Sequence, residues 1–515
     1  VGILYDLRLT ILIILASLGC RTLPDGDSFS NLLNEDDRPQ WEADEHPPHL
    51  RNPKIDVQNY DIDMTVPKME AVNLPVTLAM KVKLVSAAPD LKLHAHATSL
   101  SVQQITVDGT DATFAMIQGK PGSYGLDGSF LKIDLAGARP AGTILDLKIT
   151  YEITPALMGT DKGMQFRANY AGEPVFATRS WPYYARFWLP GNDHPYDTAS
   201  FKFTIHVPDG TVAAANGRLT EGTYQSGSGL DPADLRVFKW EQATPIPTYG
   251  VNITVGNLEI QEQNICFDAS SVNNDVHSCA LPHKNQVPFV YYSQSQLPNR
   301  DQFKAKAEVG IRSMVFFSSL LDPYAYKKLG FVTAPQPFNM ESVSLVVMIS
   351  PEATTHEVAH HWWGNTVYIK HWGDFWISEG FTTYFTGLYD QHFAGQNTAC
   401  EQSTGVLNNH PDTDPMKIFD NTAYCKGASA IRDLRARLAL EIGKPEDDIL
   451  ERQLFYNLMN QLFHTYKFRR LGSEDLPVFL RQSLPSAFAR IGHNIPAPQI
   501  DALVSAWQQQ WLPAP

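Results

Sequence analysis

The chain has 515 residues, long enough for several domains, and its 43% apolar content is enough to bury sizeable cores. Its formal net charge is −14 and its Lys and Arg are not clustered, which argues against a nucleic-acid partner, because phosphate binding relies on grouped cations.

The first expected element is a leader over residues 1–20. Leu7, Leu9, Ile11, Leu12, Ile13, Ile14, Leu15 and Leu18 form an apolar stretch too short for a comfortable membrane span and right for a signal-peptide core. Gly19-Cys20 ends it, in the manner of bacterial lipoprotein processing, although Ser17 stands where Leu is usual and Arg8 is opposed by Asp6. The expectation is export, either to the periplasm of a bacterium or to its membrane as a lipoprotein anchored through Cys20. A simple cleaved signal or a short anchor is the alternative. Residues 21–50 are acidic, contain Pro39, Pro47 and Pro48, and show no apolar period, so they read as a tether.

From Val57 the period is two. Tyr60, Ile62, Met64 and Val66 alternate with polar residues, as do Val76, Leu78, Met80, Val82 and Leu84, the pattern of half-buried strands. The pattern recurs over Leu131 to Leu135, Leu145 to Ile153 and Phe201 to Val207, with turns at Asp108-Gly109, Lys120-Pro121-Gly122 and Asp209-Gly210. Residues 51–262 are therefore expected to form an all-β amino-terminal domain, closing with Tyr249, Val251, Ile253 and Val255.

The period then lengthens. Phe303, Ala307, Ile311, Met314 and Phe317 make an apolar helix stripe that reads as core. Lys328 to Thr333 reads as a strand. Ile431, Leu434, Leu438 and Ile442 give another helix ended by Gly443, and Ser473 is placed to cap a later one. Residues 263–515 form the second expected domain.

Within it runs Thr355-His356-Glu357-Val358-Ala359-His360-His361-Trp362-Trp363-Gly364-Asn365. On a helix, His356 and His360 lie one turn apart on one face, so both imidazoles can reach one ion. Glu379, nineteen residues after His360, follows at a distance that lets the chain turn and start a second helix. Two nitrogens, one carboxylate and an open fourth position describe a catalytic site for one Zn2+ per chain. Glu357 projects about 100° from the ligand face, where it can reach the metal's water and act as general base. A solvated helix carboxylate is the plainer alternative. His361 points away from the ligand face, His371 and Asp374 sit in the connection to Glu379, and Trp362, Trp363 and Trp376 read as core.

These motifs resemble those of the M1 family of zinc aminopeptidases, gluzincins with H-E-x-x-H, eighteen residues and then E. Asn339-Met340-Glu341-Ser342 is similar to the family's G-x-M-E-N element, with Phe338 for the first Gly and Ser342 for the last Asn. The resemblance assigns Met340 and Glu341 to substrate binding, Glu341 holding the free amino group. Tyr424-Cys425-Lys426-Gly427-Ala428 resembles Y-x-K-G-A, whose Tyr stabilises the oxyanion, which makes Tyr424 catalytic beside Glu357. Ala185-Arg186-Phe187-Trp188-Leu189-Pro190 with Asn192-Asp193-His194-Pro195 is similar to A-R-x-x-F-P-C-x-D-x-P, with Gly191 for the Cys.

The resemblance implies a multidomain α+β fold, an all-β domain followed by a thermolysin-like, mainly helical catalytic domain, in a minimal two-domain version. It implies an edge strand near Leu329 to Thr333 bordering the cleft, and peptide substrates with a free amino terminus. The family commonly adds a second acidic or amide group from the β domain; Thr178-Arg179-Ser180-Trp181 occupies that place and offers none. A gluzincin endopeptidase and a non-catalytic, zinc-free peptide-binding scaffold stay open as alternatives.

Apart from Cys20, the cysteines are Cys266, Cys279, Cys400 and Cys425. Sequence proximity pairs Cys266 with Cys279 and Cys400 with Cys425, with four free thiols as the alternative.

Overall fold

The computed structural model describes residues 51–512 except 119–127, 157–160, 224–226, 228–232, 267–276, 279–285, 396–399, 401–402, 404, 408–418 and 420–421. The leader 1–20 with Cys20, the tether 21–50, the turn at Lys120-Pro121-Gly122 and Cys279 lie outside the described residues.

The alternating segments form strands, because period-two patterning gives a chain one apolar face to bury. Ile55–Thr65 and Leu74–Leu84 run antiparallel, with Tyr60 opposite Met80 and Ile62 opposite Leu78. Both belong to an eight-stranded sheet with Ile144–Ile153, Thr198–Pro208 and Leu235–Pro247 among its members. A three-stranded sheet holds Ala88–His94, and a four-stranded sheet holds Pro174–Arg179 and Ile253–Gly256.

The last expected strand starts late. Thr248–Gly250 is a short 3-10 turn, and the strand itself is confined to Ile253–Gly256. Two long-range bonds hold that turn: the Thr248 hydroxyl donates to Asp193 at 2.7 Å, and the Tyr249 phenol donates to the Gly364 carbonyl at 3.1 Å. Alternation cannot encode partners so far away in sequence.

From Leu258 the strands join a different, five-stranded sheet, in the order His277–Ser278, Leu258–Cys266, Gln286–Gln294, Leu329–Thr333, Leu345–Met348. Helix α1 (Arg300–Leu320) connects Gln286–Gln294 to its parallel neighbour Leu329–Thr333, as a parallel pair requires. The expected stripe of α1, from Phe303 to Phe317, is buried. Leu329–Thr333 is internal rather than an edge strand, because Leu345–Met348 pairs outside it. All five of its residues are buried, as suits a parallel strand covered on both faces. Beyond the edge, Met340 exchanges backbone bonds of 3.0 and 2.9 Å with Val347, which sets Glu341 against the sheet.

Six helices follow in the described residues: α2 (Thr354–Ala359), α3 (Phe375–Ala394), α4 (Gly427–Glu441), α5 (Ile449–Tyr466), α6 (Asp475–Arg490) and α7 (Ala497–Trp511). Ser473 does not cap α6. Its hydroxyl donates to Asp374 at 2.7 Å and accepts from Trp376 Nε1 at 2.8 Å, so a tertiary pairing with the start of α3 replaces the local cap. Cys400 and Cys425 form a disulfide, and Cys266 is also disulfide-bonded.

Arg186 and Asp193, each 1% exposed, pair at 3.1 Å, and Asp193 also accepts from Thr248. Arg186→Met would leave that carboxylate buried without its counter-charge. The expected loss of unfolding free energy is about 3–5 kcal/mol, read as a lower urea midpoint. An unchanged midpoint would refute the pair's structural role.

Candidate active site

Helix α2 is short, yet it sets two imidazoles over one point. His356 Nε2 and His360 Nε2 are 3.2 Å apart, and Glu379 Oε2 lies 3.1 Å from the first and 3.3 Å from the second. Ligand atoms at tetrahedral corners around zinc, with bonds of about 2.0–2.2 Å, would be separated by roughly 3.3–3.6 Å. The observed triangle is close to that size.

The donor chemistry also fits a cation. His360 Nδ1 lies 3.1 Å from the Trp363 carbonyl, which can only accept, so that nitrogen carries the ring proton and Nε2 turns a lone pair towards Glu379. A second ring proton relieves one such contact; a metal ion relieves all three. The site's negative field is strong: burial lowers the His360 pKa, but Glu379, Glu341 and Glu357 together outweigh it and raise it to about 10. Burial likewise raises Glu379, but His360 and His356 pull it down to about 2.

The supporting elements explain why these groups converge. Asp374, at the start of α3, accepts from the Ser473 N–H at 2.8 Å and the His371 N–H at 3.2 Å, which fixes the helix that carries Glu379. Helices α3 and α4 touch backbone to backbone: a Cβ on Gly380 would lie 2.6 Å from Gly427 Cα. That close approach brings Tyr424 beside Glu379. The Tyr424 phenol lies close enough to the Glu379 carboxylate for the two to interact electrostatically, and its ring stacks on His356 with centroids 5.8 Å apart. Thr422–Lys426 is a π-helical turn, a widening often found at functional positions.

Glu341 and Glu357 are both buried, and their oxygens and a His360 nitrogen lie within 4.8 Å of one another. Burial pushes both acids up, Glu341 to about 7. A cavity of about 450 Å³ is lined by Met340, Glu341, His356, Glu357, His360, Glu379 and Tyr424, so the structure gathers every residue the sequence singled out for the site.

Two positioning residues escaped the sequence reading. Asn365 Nδ2 donates to the Glu341 carbonyl at 2.7 Å, and the Ser344 N–H donates to His361 Nε2 at 3.0 Å. The segment that holds the metal ligands therefore also holds the segment that carries Glu341. A pair of polar residues inside an apolar Trp-rich run was the available signal. Trp362, Trp363 and Trp376 are buried core, at most 2% exposed.

The purified protein should hold about one zinc per chain by plasma mass spectrometry. Glu379→Gln should fall below half an equivalent, whereas Glu357→Gln should keep its zinc and lose at least about 100-fold in kcat. A parent with less than half an equivalent would overturn the metal assignment, and a Glu357→Gln variant with more than about a tenth of parental kcat would remove Glu357 from the chemistry.

Known proteins agree with this architecture. The peptidase M1 N-terminal domain matches residues 57–249, and the peptidase family M1 domain matches residues 326–507. Aminopeptidase M1-D of Oryza sativa subsp. japonica is 25% identical over 397 residues, covering 69% of this chain and 42% of its own. Leucyl aminopeptidase of Saccharolobus solfataricus is 22% identical over 315 residues, covering 54% of this chain and 36% of its own. The chain thus spans less than half the length of these curated relatives. Among solved structures, an M1 zinc metallopeptidase from Deinococcus radiodurans has a TM-score of 0.68 at 21% identity, covering 89% of this chain and 94% of that one. Leukotriene A4 hydrolase from Saccharomyces cerevisiae has a TM-score of 0.66 at 18% identity, covering 96% and 73%. With both M1 domain types matched in order, and between them over more than half of its length, the chain belongs to peptidase family M1.

Proposed function

We propose that this protein is a zinc-dependent aminopeptidase that hydrolyses the amino-terminal residue from peptides. The observation that carries the reading is the buried carboxylate of Glu341 in the same cavity as the metal triangle and Glu357. Such a carboxylate forms a charge-assisted bond with a substrate ammonium that a mid-chain amide cannot supply, so a free amino end is what fits.

When held by His356, His360 and Glu379, zinc supplies Lewis acidity, polarising the scissile carbonyl and lowering the pKa of a water towards about 7. Glu357 takes the water's proton and returns it to the leaving amine. Burial, opposed by His360 and reinforced by Glu341 and Glu379, raises its proton affinity and suits it to hold that proton between the two transfers. The Tyr424 phenol donates a hydrogen bond to the carbonyl oxygen as charge develops there. Burial and the surrounding carboxylates keep that phenol protonated.

Export, and lipid attachment through Cys20, are part of the same proposal. The apolar leader supports them, and so does the Cys400–Cys425 disulfide, which suits an oxidising compartment. Mass analysis of the mature protein from its bacterial membrane fraction should find a lipidated Cys20 as first residue; a mature chain that still carries residues before Cys20 would overturn lipidation.

The aminopeptidase reading is tested by kcat/KM for the free and amino-acetylated forms of one peptide. The parent should strongly prefer the free form, and Glu341→Ala should raise KM for it and collapse the preference by at least about tenfold, because the desolvated carboxylate that rejected the acetylated form is gone. Equal cleavage of both forms by the parent would establish the endopeptidase alternative instead. An unchanged ratio in the variant would show that another group holds the amine.

A further inference from the structure

One wall of the catalytic cavity is aromatic. Trp181, Phe338 and Phe419 line the same cavity as Glu341 and the metal triangle, and they come from three distant parts of the chain. Trp181 follows the strand Pro174–Arg179, Phe338 precedes Glu341 by three residues, and Phe419 precedes Tyr424 by five. Their rings meet: Trp181 lies 4.8 Å from Phe419 and 5.9 Å from Phe338, the latter edge-on at 89°, and Phe338 lies 5.8 Å from Phe419. Phe419 also reaches the Tyr424 ring at 5.9 Å, so the wall runs unbroken to the residue stacked on His356.

Burial separates the roles of the three rings. Trp181 is 1% exposed and is packed from other sides by Trp372 and Phe375 at 6.4 and 5.6 Å, which makes it a fixed floor. Phe338 is only partly buried and Phe419 is 37% exposed, so both leave ring surface for a ligand to cover. The polar groups beside Trp181 are engaged elsewhere. The Thr178 hydroxyl accepts from the Ile253 N–H at 2.8 Å, and the Ser180 hydroxyl donates to the Val251 carbonyl at 2.8 Å. The Arg179 guanidinium lies 4.3 Å from the centroid of Phe338 and donates to the Asp161 carbonyl at 2.8 Å.

We infer that Trp181, Phe338 and Phe419 form the subsite for the first side chain of the substrate and select an aromatic one. The inference rests on the aminopeptidase reading: an ammonium held by Glu341 and the first side chain leave the same carbon, so that side chain enters the part of the cavity next to Glu341. A ring placed among three rings gains edge-to-face and offset contacts beyond the area it buries, which an aliphatic chain does not. A basic side chain gains less, because Arg179 already sits on Phe338 and repels a second cation.

The test measures kcat/KM for X-Ala dipeptides with Phe, Leu, Ala or Arg as X, in the parent and in Phe419→Ala and Phe338→Ala. In parallel, calorimetry measures binding of free phenylalanine and alanine to the zinc-loaded proteins, which needs no turnover. Phe-Ala should exceed Leu-Ala by about tenfold, with Ala-Ala and Arg-Ala lower still, and each variant should lose about tenfold more on Phe-Ala than on Ala-Ala. Phenylalanine should bind the parent at least about tenfold more tightly than alanine, and the variants should lose that margin. Cleavage without preference among the four dipeptides, or variants that lose equally on Phe-Ala and Ala-Ala, would overturn the aromatic subsite and leave the aminopeptidase reading standing. No cleavage of any dipeptide, with phenylalanine still bound preferentially, would do the reverse.

Discussion

The organising constraint is a point in the interior where buried negative charge converges. Glu341, Glu357 and Glu379 are each at most 7% exposed, and all three act on His360. Carboxylates so placed repel one another and have lost most of their water, which is costly unless a cation is present. A ring proton on His360 supplies one positive charge, and the three-atom triangle can receive a doubly charged ion. The same constraint governs the chemistry, because the field that demands a cation also makes Glu357 a strong proton acceptor and keeps the Tyr424 phenol a donor.

Holding that arrangement takes both halves of the chain. The segment after Glu341 is clamped from two sides. On one side His361 accepts from the Ser344 N–H, and Asn365 holds the Glu341 carbonyl. On the other, Asn216 donates to the Val343 carbonyl at 2.5 Å, the Gly217 N–H donates to the Ser344 hydroxyl at 2.7 Å, and the Val343 N–H donates to the Gly250 carbonyl at 2.9 Å. Lys328 crosses the same boundary, its amine donating to the Ala215 carbonyl and lying 4.3 Å from the Trp240 ring centre. Burial depresses its pKa well below the usual range. The β-rich part thus fixes the depth of Glu341 relative to the metal triangle.

What could be read from sequence was what is encoded locally. Helical spacing placed His356, Glu357 and His360 without reference to anything outside one turn, and alternation located Ile55–Thr65, Leu74–Leu84 and Ile144–Ile153. The features that stayed hidden depend on distant partners. Leu329–Thr333 reads the same whether it is an edge or an interior strand, and only its pairing with Leu345–Met348 decides. Tyr249 leaves the strand pattern for a carbonyl 115 residues away, and Ser473 abandons a cap for an aspartate 99 residues away. Asn365 and His361 were legible as polar residues but not as the clamp on Glu341, because their bonds go to backbone groups, which carry no sequence signature.

The glycines at 380 and 427 show how a motif letter can encode geometry rather than chemistry. Neither touches a ligand atom, yet a Cβ on either would come within 2.7 Å of the other's Cα. Separating α3 from α4 to make room would carry Tyr424 away from Glu379, since Tyr424 lies on the turn that enters α4 and Glu379 lies one residue before Gly380. Cys425, next to Tyr424, restrains the same turn through its bond to Cys400, which is among the residues lining the cavity. A backbone contact on one side and a covalent bond on the other leave the turn little freedom to drift. Oxyanion stabilisation depends on that restraint, because a phenol contributes to the transition state only if it is already within hydrogen-bond distance when charge develops.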